Sequence, residues 1–420
     1  MKTLFYKIPE IRNKILFTLF IILVFRILSH IPVPNVDIAA IKAFIQNNQL
    51  LGLFDLFSGG GLKNFSIVTL GLAPYINASI IVQLFTTIVP SLEELSKEGE
   101  YGREKINQYT KFLTFPISLV QSFGFYSLLK SQGVAPQLNF LDTATVVAAM
   151  VAGTYILMWV GDLVTEHGLG NGISLLIFVG IVSTLPESIY RFIYLLTPET
   201  IFSALVFGAA TLAIVAGVVL INEGVKNIPL EYGRRMASGG SRVSSSLPLK
   251  VNQVGVIPVI FAASIVLIPS FLGSYLITSP NNMFRDLGYF LNTNFQSTSF
   301  LYNLVMFLFV IAFTYFYTSI QFNPEKISED VKKRGGFIPG IRPGLNTTNH
   351  LKGVINKITL GGGVFLGMIA VLPYIVHSFI GFSSFALGGT SLLIIVSVVL
   401  ETIRKMDSLM VSKKYDSFLD

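Results

Sequence analysis

Leu62 to Pro74 reads LKNFSIVTLGLAP, and this stretch decides what kind of molecule the chain makes. Its first eleven residues, Leu62 to Leu72, are moderately apolar yet carry Lys63, Asn64, Ser66 and Thr69, and they are too few for a helix to cross a hydrocarbon layer. Pro74 has no N–H to donate and disfavours helix in the residue before it, so the segment is expected to be a short half-helix, broken from the apolar helix that follows. Backbone at membrane depth cannot face lipid with its amides unpaired. The piece must lie against protein or line a watery cavity, which implies a bundle with an interior.

The rest of the chain supplies that bundle. Of its 420 residues 52% are hydrophobic and only 13% charged, too apolar for a soluble globule and right for a polytopic membrane protein. Ten runs approach spanning length: 14 to 33, 74 to 90, 110 to 129, 143 to 163, 171 to 186, 199 to 222, 253 to 274, 299 to 322, 355 to 376 and 386 to 406. The first has no small-residue cleavage site before Pro32 and Pro34 and is expected to be a retained helix, not a cleaved signal. Twenty-four of the thirty Lys and Arg residues fall in the N-terminus, alternate loops and the C-terminal tail. The intervening loops hold only Lys42, Lys63, Lys130, Arg191 and Arg285, and Arg26 lies within a span. The positive-inside rule then places both termini in the cytoplasm and the half-helix on the outer side.

The net charge of +7 needs no nucleic acid to explain it, because topology alone confines the cations to one face. With no cysteine the chain has no disulfide, iron–sulfur or thiolate zinc chemistry, and His30, His167, His350 and His377 are scattered. No metal or cofactor is expected. Pro186 to Pro198 is the longest seam near the middle, with five spans on either side. A five-span unit occurring twice must insert in opposite senses, giving halves 1–186 and 187–420. Two cytoplasmic loops, 223–250 and 323–352, are longer than connection requires, and such loops tend to be functional. The second carries Lys332, Lys333 and Arg334 and then a tip rich in Pro and Gly, a docking surface for a large partner if its cations are more than headgroup anchors.

Several segments, in order along nearly the whole chain, resemble the SecY family of protein-conducting channels. They are Phe57-Ser58-Gly59-Gly60, Leu70-Gly71-Leu72-Ala73-Pro74-Tyr75-Ile76, Gly99-Glu100-Tyr101-Gly102-Arg103, Gly168-Leu169-Gly170-Asn171-Gly172-Ile173-Ser174, Leu247-Pro248-Leu249-Lys250-Val251-Asn252, Gly255-Val256-Ile257-Pro258, Phe337-Ile338-Pro339-Gly340-Ile341-Arg342-Pro343-Gly344 and Gly388-Gly389-Thr390-Ser391-Leu392-Leu393-Ile394. The resemblance implies an all-α fold of ten transmembrane helices, two inverted five-helix halves around a central pore, with residues 62–72 as its plug. It implies an aliphatic ring at the waist made by Leu72, Ile76, Ile173, Ile177, Ile260 and Ile394, with leucine at 72 where the family usually has isoleucine. Taken without the family, these six are ordinary helix-packing residues; in a ring, branched apolar side chains seal a pore by dewetting yet part around a polypeptide.

The same resemblance places a lateral gate between spans two and three and spans seven and eight, with Gln121 and Asn252 at its seam. A plain interhelical hydrogen bond explains such residues equally well. It assigns Arg342, with Lys332, Lys333 and Arg334, to docking of a SecA motor ATPase or the ribosome, a task suited to a planar guanidinium that pairs with carboxylate or phosphate. In the other loop Asn227 stands where relatives carry a second arginine, and Arg234 and Arg235 are candidates to compensate. Arg26, costly in mid-membrane unless paired, is expected to hold the first helix in place through backbone carbonyls, a polar partner or water.

The function implied is the central subunit of a secretion channel in the bacterial plasma membrane. It would pass unfolded, signal-bearing precursor proteins and release apolar segments into membrane lipid, with SecE-like and SecG-like subunits beside it. The rival from the residues themselves is a secondary transporter, which also uses inverted repeats and broken helices. It would want carboxylates at mid-membrane, and here Asp162, Glu166, Glu223 and Glu401 lie in loops or near span ends. An intramembrane hydrolase lacks its motifs, and without a Walker loop the energy for transport must come from elsewhere.

Overall fold

The computed structural model describes residues 9–33, 41–42, 55, 58–131, 133–134, 139–194, 197–198, 201–232, 244–277, 279–380 and 389–416. The fold is a helical bundle. Its first part holds α1 (Pro9–Leu28), α2 (Ala73–Ile88), α3 (Pro90–Lys97), α4 (Glu100–Ser131), α5 (Phe140–His167) and α6 (Gly172–Tyr194). The second holds α7 (Ile201–Glu223), strands β1 (Val225–Tyr232) and β2 (Ser244–Lys250), α8 (Ile257–Val266), α9 (Ile268–Leu276), α10 (Asn282–Asn294), α11 (Phe300–Gln321), α12 (Pro324–Lys333), β3 (Gly336–Phe337), α13 (Leu345–Ile380) and α14 (Gly389–Asp416).

A helix falls on every expected span, but not all ten satisfy the physical requirements for crossing. Among the described residues seven helices are long and apolar enough, or eight if α2 and α3, bent by 101° at Val89, count as one. The helix α2 has only 16 residues, and every 18-residue window of α1 or α14 keeps at least three charges. Helix α6 also runs through Pro186 to Tyr194, past the expected half boundary. The seventh span is split at Leu267, where Pro269 opens α9 and its missing N–H interrupts the ladder.

Two features depart from the reading of the sequence. Residues 59–72 are a succession of tight turns, not a regular half-helix. Glycines interrupt the run, and Gly59 sits at φ +69° with the Phe25 ring where a Cβ would stand, so no other residue fits there without displacing α1. The second is a small sheet of order β2-β1-β3, which joins the two long loops, 223–250 and 323–352. Strands β1 and β2 pair antiparallel with Ile228 opposite Leu247 and Leu230 opposite Ser245, and Glu231 of β1 pairs Phe337. Alternation puts Ile228, Leu230 and Leu249 on one face, buried with Val331, Ile338, Leu351 and Ile355. Leu249→Ala is expected to cost this module roughly 2–5 kcal/mol, read as faster proteolysis or deuterium exchange at 225–250 without loss of the membrane helices.

The main core draws buried residues from α1, α2, α5 to α8, α11, α13 and α14. Helix α2 meets α8, and both α1 and α6 meet α14, so the two parts of the chain close on each other there.

Candidate functional site

At the centre of that core lie the six aliphatic residues expected at the waist. Leu72, Ile76, Ile177, Ile260 and Ile394 are buried in one apolar cluster, and Ile173 packs against it from partial burial. They come from five places in the chain: the turn before α2, α2 itself, α6, α8 and α14. No charged side chain belongs to the cluster. Branched apolar side chains of this kind, where they line a passage, disfavour water and ions.

Residues 58–72 press on this centre. Leu62 and Phe65 are fully buried with Val33, Phe125, Leu129 and Met150, while Val68 and Leu72 join the central cluster. The backbone bridges to the chain leaving α1: Val33 N–H donates to Phe65 O at 2.8 Å and Ile67 N–H to Ile31 O at 3.0 Å. Arg26 finds its partner here, Nη1 donating to Gly59 O at 2.9 Å, which gives a half-buried cation a backbone carbonyl as expected. Asn64 Nδ2 reaches Ser29 O at 3.2 Å, and Lys63 Nζ meets both carboxylate oxygens of Glu187, at 2.8 and 2.7 Å. Asp55 Oδ1 accepts from Lys63 N–H and Ser58 Oγ; burial pushes its carboxyl above the ordinary range, against the pull of those donors.

Sequence reasoning missed the tightest of these contacts. Gly153 on α5 passes Ile67 so closely that a Cβ would stand 1.9 Å from its carbonyl oxygen. Gly153→Ala is expected to push the segment outward, at a cost of about 1–3 kcal/mol for forcing atoms into a packed site. Deuterium exchange of residues 62–72 should rise about fivefold or more, since 1.36 kcal/mol is a factor of ten.

The two seam residues do not pair. Among the described residues Gln121 Oε1 is buried without a hydrogen-bond partner, whereas Asn252 Nδ2 donates to Asn222 Oδ1 at 2.7 Å. Asn222 in turn donates to Ser397 Oγ at 2.9 Å, tying α7, the entry to α8 and α14 into one polar chain. Arg404 of α14 closes it, donating to Asn222 O and pairing Glu223 at 2.6 Å. Buried polar atoms without partners also occur at Gln83 of α2 and Gln253 before α8. Ser66 and Ser270 hold further buried oxygens without a partner among the described residues, so such atoms are spread over several elements.

On the sheet module Arg342, Lys332, Lys333 and Arg334 are all exposed. Thr347 Oγ1 donates to Arg342 O and Ser328 Oγ to Gly344 O, holding the tip against α12 so that the Arg342 side chain projects from a fixed base. Lys333 engages Glu329 at 3.5 Å. Arg234 and Arg235 lie outside the described residues. Of the carboxylates near span ends, Asp162 pairs with Lys111 at 2.6 Å, Glu223 with Arg404 at 2.6 Å, and Glu166 lies 3.7 Å from His167.

Fold and site together define a polytopic helical membrane protein whose spans close on an apolar centre, with a folded-in segment packed against it. The SecY family model matches residues 66–403. Protein translocase subunit SecY of Bacillus subtilis is 40% identical over 436 residues, covering 99% of this chain and 98% of its own, and that of Thermotoga maritima 42% over 429 residues, covering 99% and 96%. A solved structure of a protein conducting channel superposes with a TM-score of 0.66 at 20% identity, over 97% of this chain and 94% of the other. Another, of SecY with a plug domain that stabilises the closed state, gives 0.69 at 21% over the same shares. The chain belongs to the SecY family.

Proposed function

We propose that this chain is the pore subunit of a protein translocase in the bacterial plasma membrane. It conducts unfolded polypeptides outward and releases apolar segments sideways into lipid. The observation that carries this reading is the convergence of Leu72, Ile76, Ile173, Ile177, Ile260 and Ile394 on one apolar centre, with residues 58–72 folded against it. The six form the sealing ring, and residues 62–72 are the plug. The polar atoms of Gln121 and Asn252 face a gate between α2 and α4 on one side and α8 and α11 on the other, where modest hydrogen bonds can part without stranding a charge.

Both termini and the basic module are cytoplasmic, following the positive charge, and the chain comprises ten spans in two inverted halves. Arg342, with Lys332, Lys333 and Arg334, receives the SecA motor or the ribosome; a solved relative, Sec61 in a canine ribosome-channel complex, shares the fold at a TM-score of 0.63. SecE-like and SecG-like subunits complete the channel, which has no catalytic chemistry of its own. A carrier reading is disfavoured by the ion-paired Asp162 and Glu223.

The test is reconstitution of the chain with SecE-like and SecG-like subunits in liposomes. On adding motor and ATP, a signal-bearing precursor is expected to become protected from protease. No protection from a folded, complete complex would return the choice to a small-solute carrier.

A further inference from the structure

Most of what holds residues 58–72 is backbone hydrogen bonding and apolar packing: the Arg26 contact to Gly59 O, the bridge to residues 31–33, and fully buried Leu62 and Phe65. One contact differs in kind. The Lys63–Glu187 pair is an ion pair at 2.7 Å whose side chains are 25% and 49% exposed, so solvent and salt reach it. It also joins two parts with different jobs. Lys63 belongs to the folded-in segment, and Glu187 sits on α6, the helix that carries Ile173 and Ile177. Along the α6 axis Ile177 and Glu187 are ten residues, roughly 15 Å, apart. Between them, next to Glu187, stands Pro186, which weakens the helix ladder where the pair is anchored.

We propose that Lys63 and Glu187 form a latch that couples the waist to the plug: outward movement of α6 as a polypeptide spreads Ile173 and Ile177 pulls the carboxylate from Lys63 and frees the segment. The two are positioning residues, acting through the plug and not on the passing chain. The latch holds the closed state only weakly, as a partly exposed pair must, and this suits a seal that has to open for every client. The inference rests on the reading of residues 58–72 as a channel plug.

The experiment is single-channel recording of the full chain with its small partner subunits in planar bilayers. Lys63→Glu and Glu187→Lys are each expected to raise resting open probability up to about fivefold, the size of a partly exposed ion pair. The double charge swap K63E/E187K should return it close to the unaltered level. Raising ionic strength from about 0.01 to 1 M, which shortens the screening length about tenfold, should open the unaltered channel more often and leave Lys63→Met insensitive. A deletion of residues 62–72 is the reference. If the deletion leaks while the single reversals stay sealed, or if the swap fails to restore, the latch is overturned and the plug reading stands. If the deletion does not leak either, the plug reading falls and the latch with it.

Discussion

Glycine placed together at Ile76, Ile173 and Ile260 is expected to turn a sealed membrane into a leaking one, with resting ion conductance at least tenfold above the unaltered channel. On the proposed reading the barrier rests on the apolar side chains that α2, α6 and α8 bring into one buried cluster. Burying such a side chain is worth about 1.5–3 kcal/mol. Loss of only one such increment from the barrier, about 1.4 kcal/mol, is tenfold in flux. Valine at the same three positions keeps a branched apolar wall and should stay sealed, which separates the chemistry of the waist from its exact size. Unchanged conductance of a folded triple-glycine channel would remove these residues from the ring.

Charge reversal at Arg342 should act at the other end of the process. The side chain is exposed on a tip whose backbone is held by Thr347 and Ser328, so Arg342→Glu leaves stability within about 0.5 kcal/mol. Truncating one partner of a hydrogen-bonded charge pair at an interface costs about 2–5 kcal/mol, and reversal should cost no less. ATP-driven precursor uptake by proteoliposomes is therefore expected to fall about thirtyfold or more, from 2 kcal/mol at tenfold per 1.36. The melting temperature should be unmoved. Arg342→Lys keeps the charge but not the fork and should recover part of the loss. Normal uptake by Arg342→Glu would detach the tip from any docking role.

The helical bundle was legible because hydrocarbon thickness asks a similar length of each crossing helix, and seven of the described helices, or eight with the bent pair, meet that requirement. The cation at Arg26 was legible for the same reason: an isolated charge there demands a partner, and the sequence says so before the partner is known. What escaped was set by contacts far apart in sequence. Gly153 against Ile67, Lys63 with Glu187, and the chain from Asn252 through Asn222 to Ser397 leave no periodic trace. The sheet did leave one. Ile228-Pro229-Leu230 and Leu247-Pro248-Leu249 alternate as half-buried strands do, but loop polarity hid them. The segment at 62–72 was read as helix from its apolar content, and glycine with close packing made turns of it instead.

The three-stranded sheet has a mechanical meaning. β1 continues from α7, β2 leads on toward α8, and α12 with β3 bridges α11 and α13, so a single stiff bracket grips four helix ends. Because Ile228, Leu249, Val331, Ile338 and Leu351 share one interior, the bracket has little compliance of its own. Thrust delivered at the Arg342 tip is not absorbed in a floppy loop. A load applied there would be shared by α7, α8, α11 and α13 together, as a handle shares a pull among everything fixed to it.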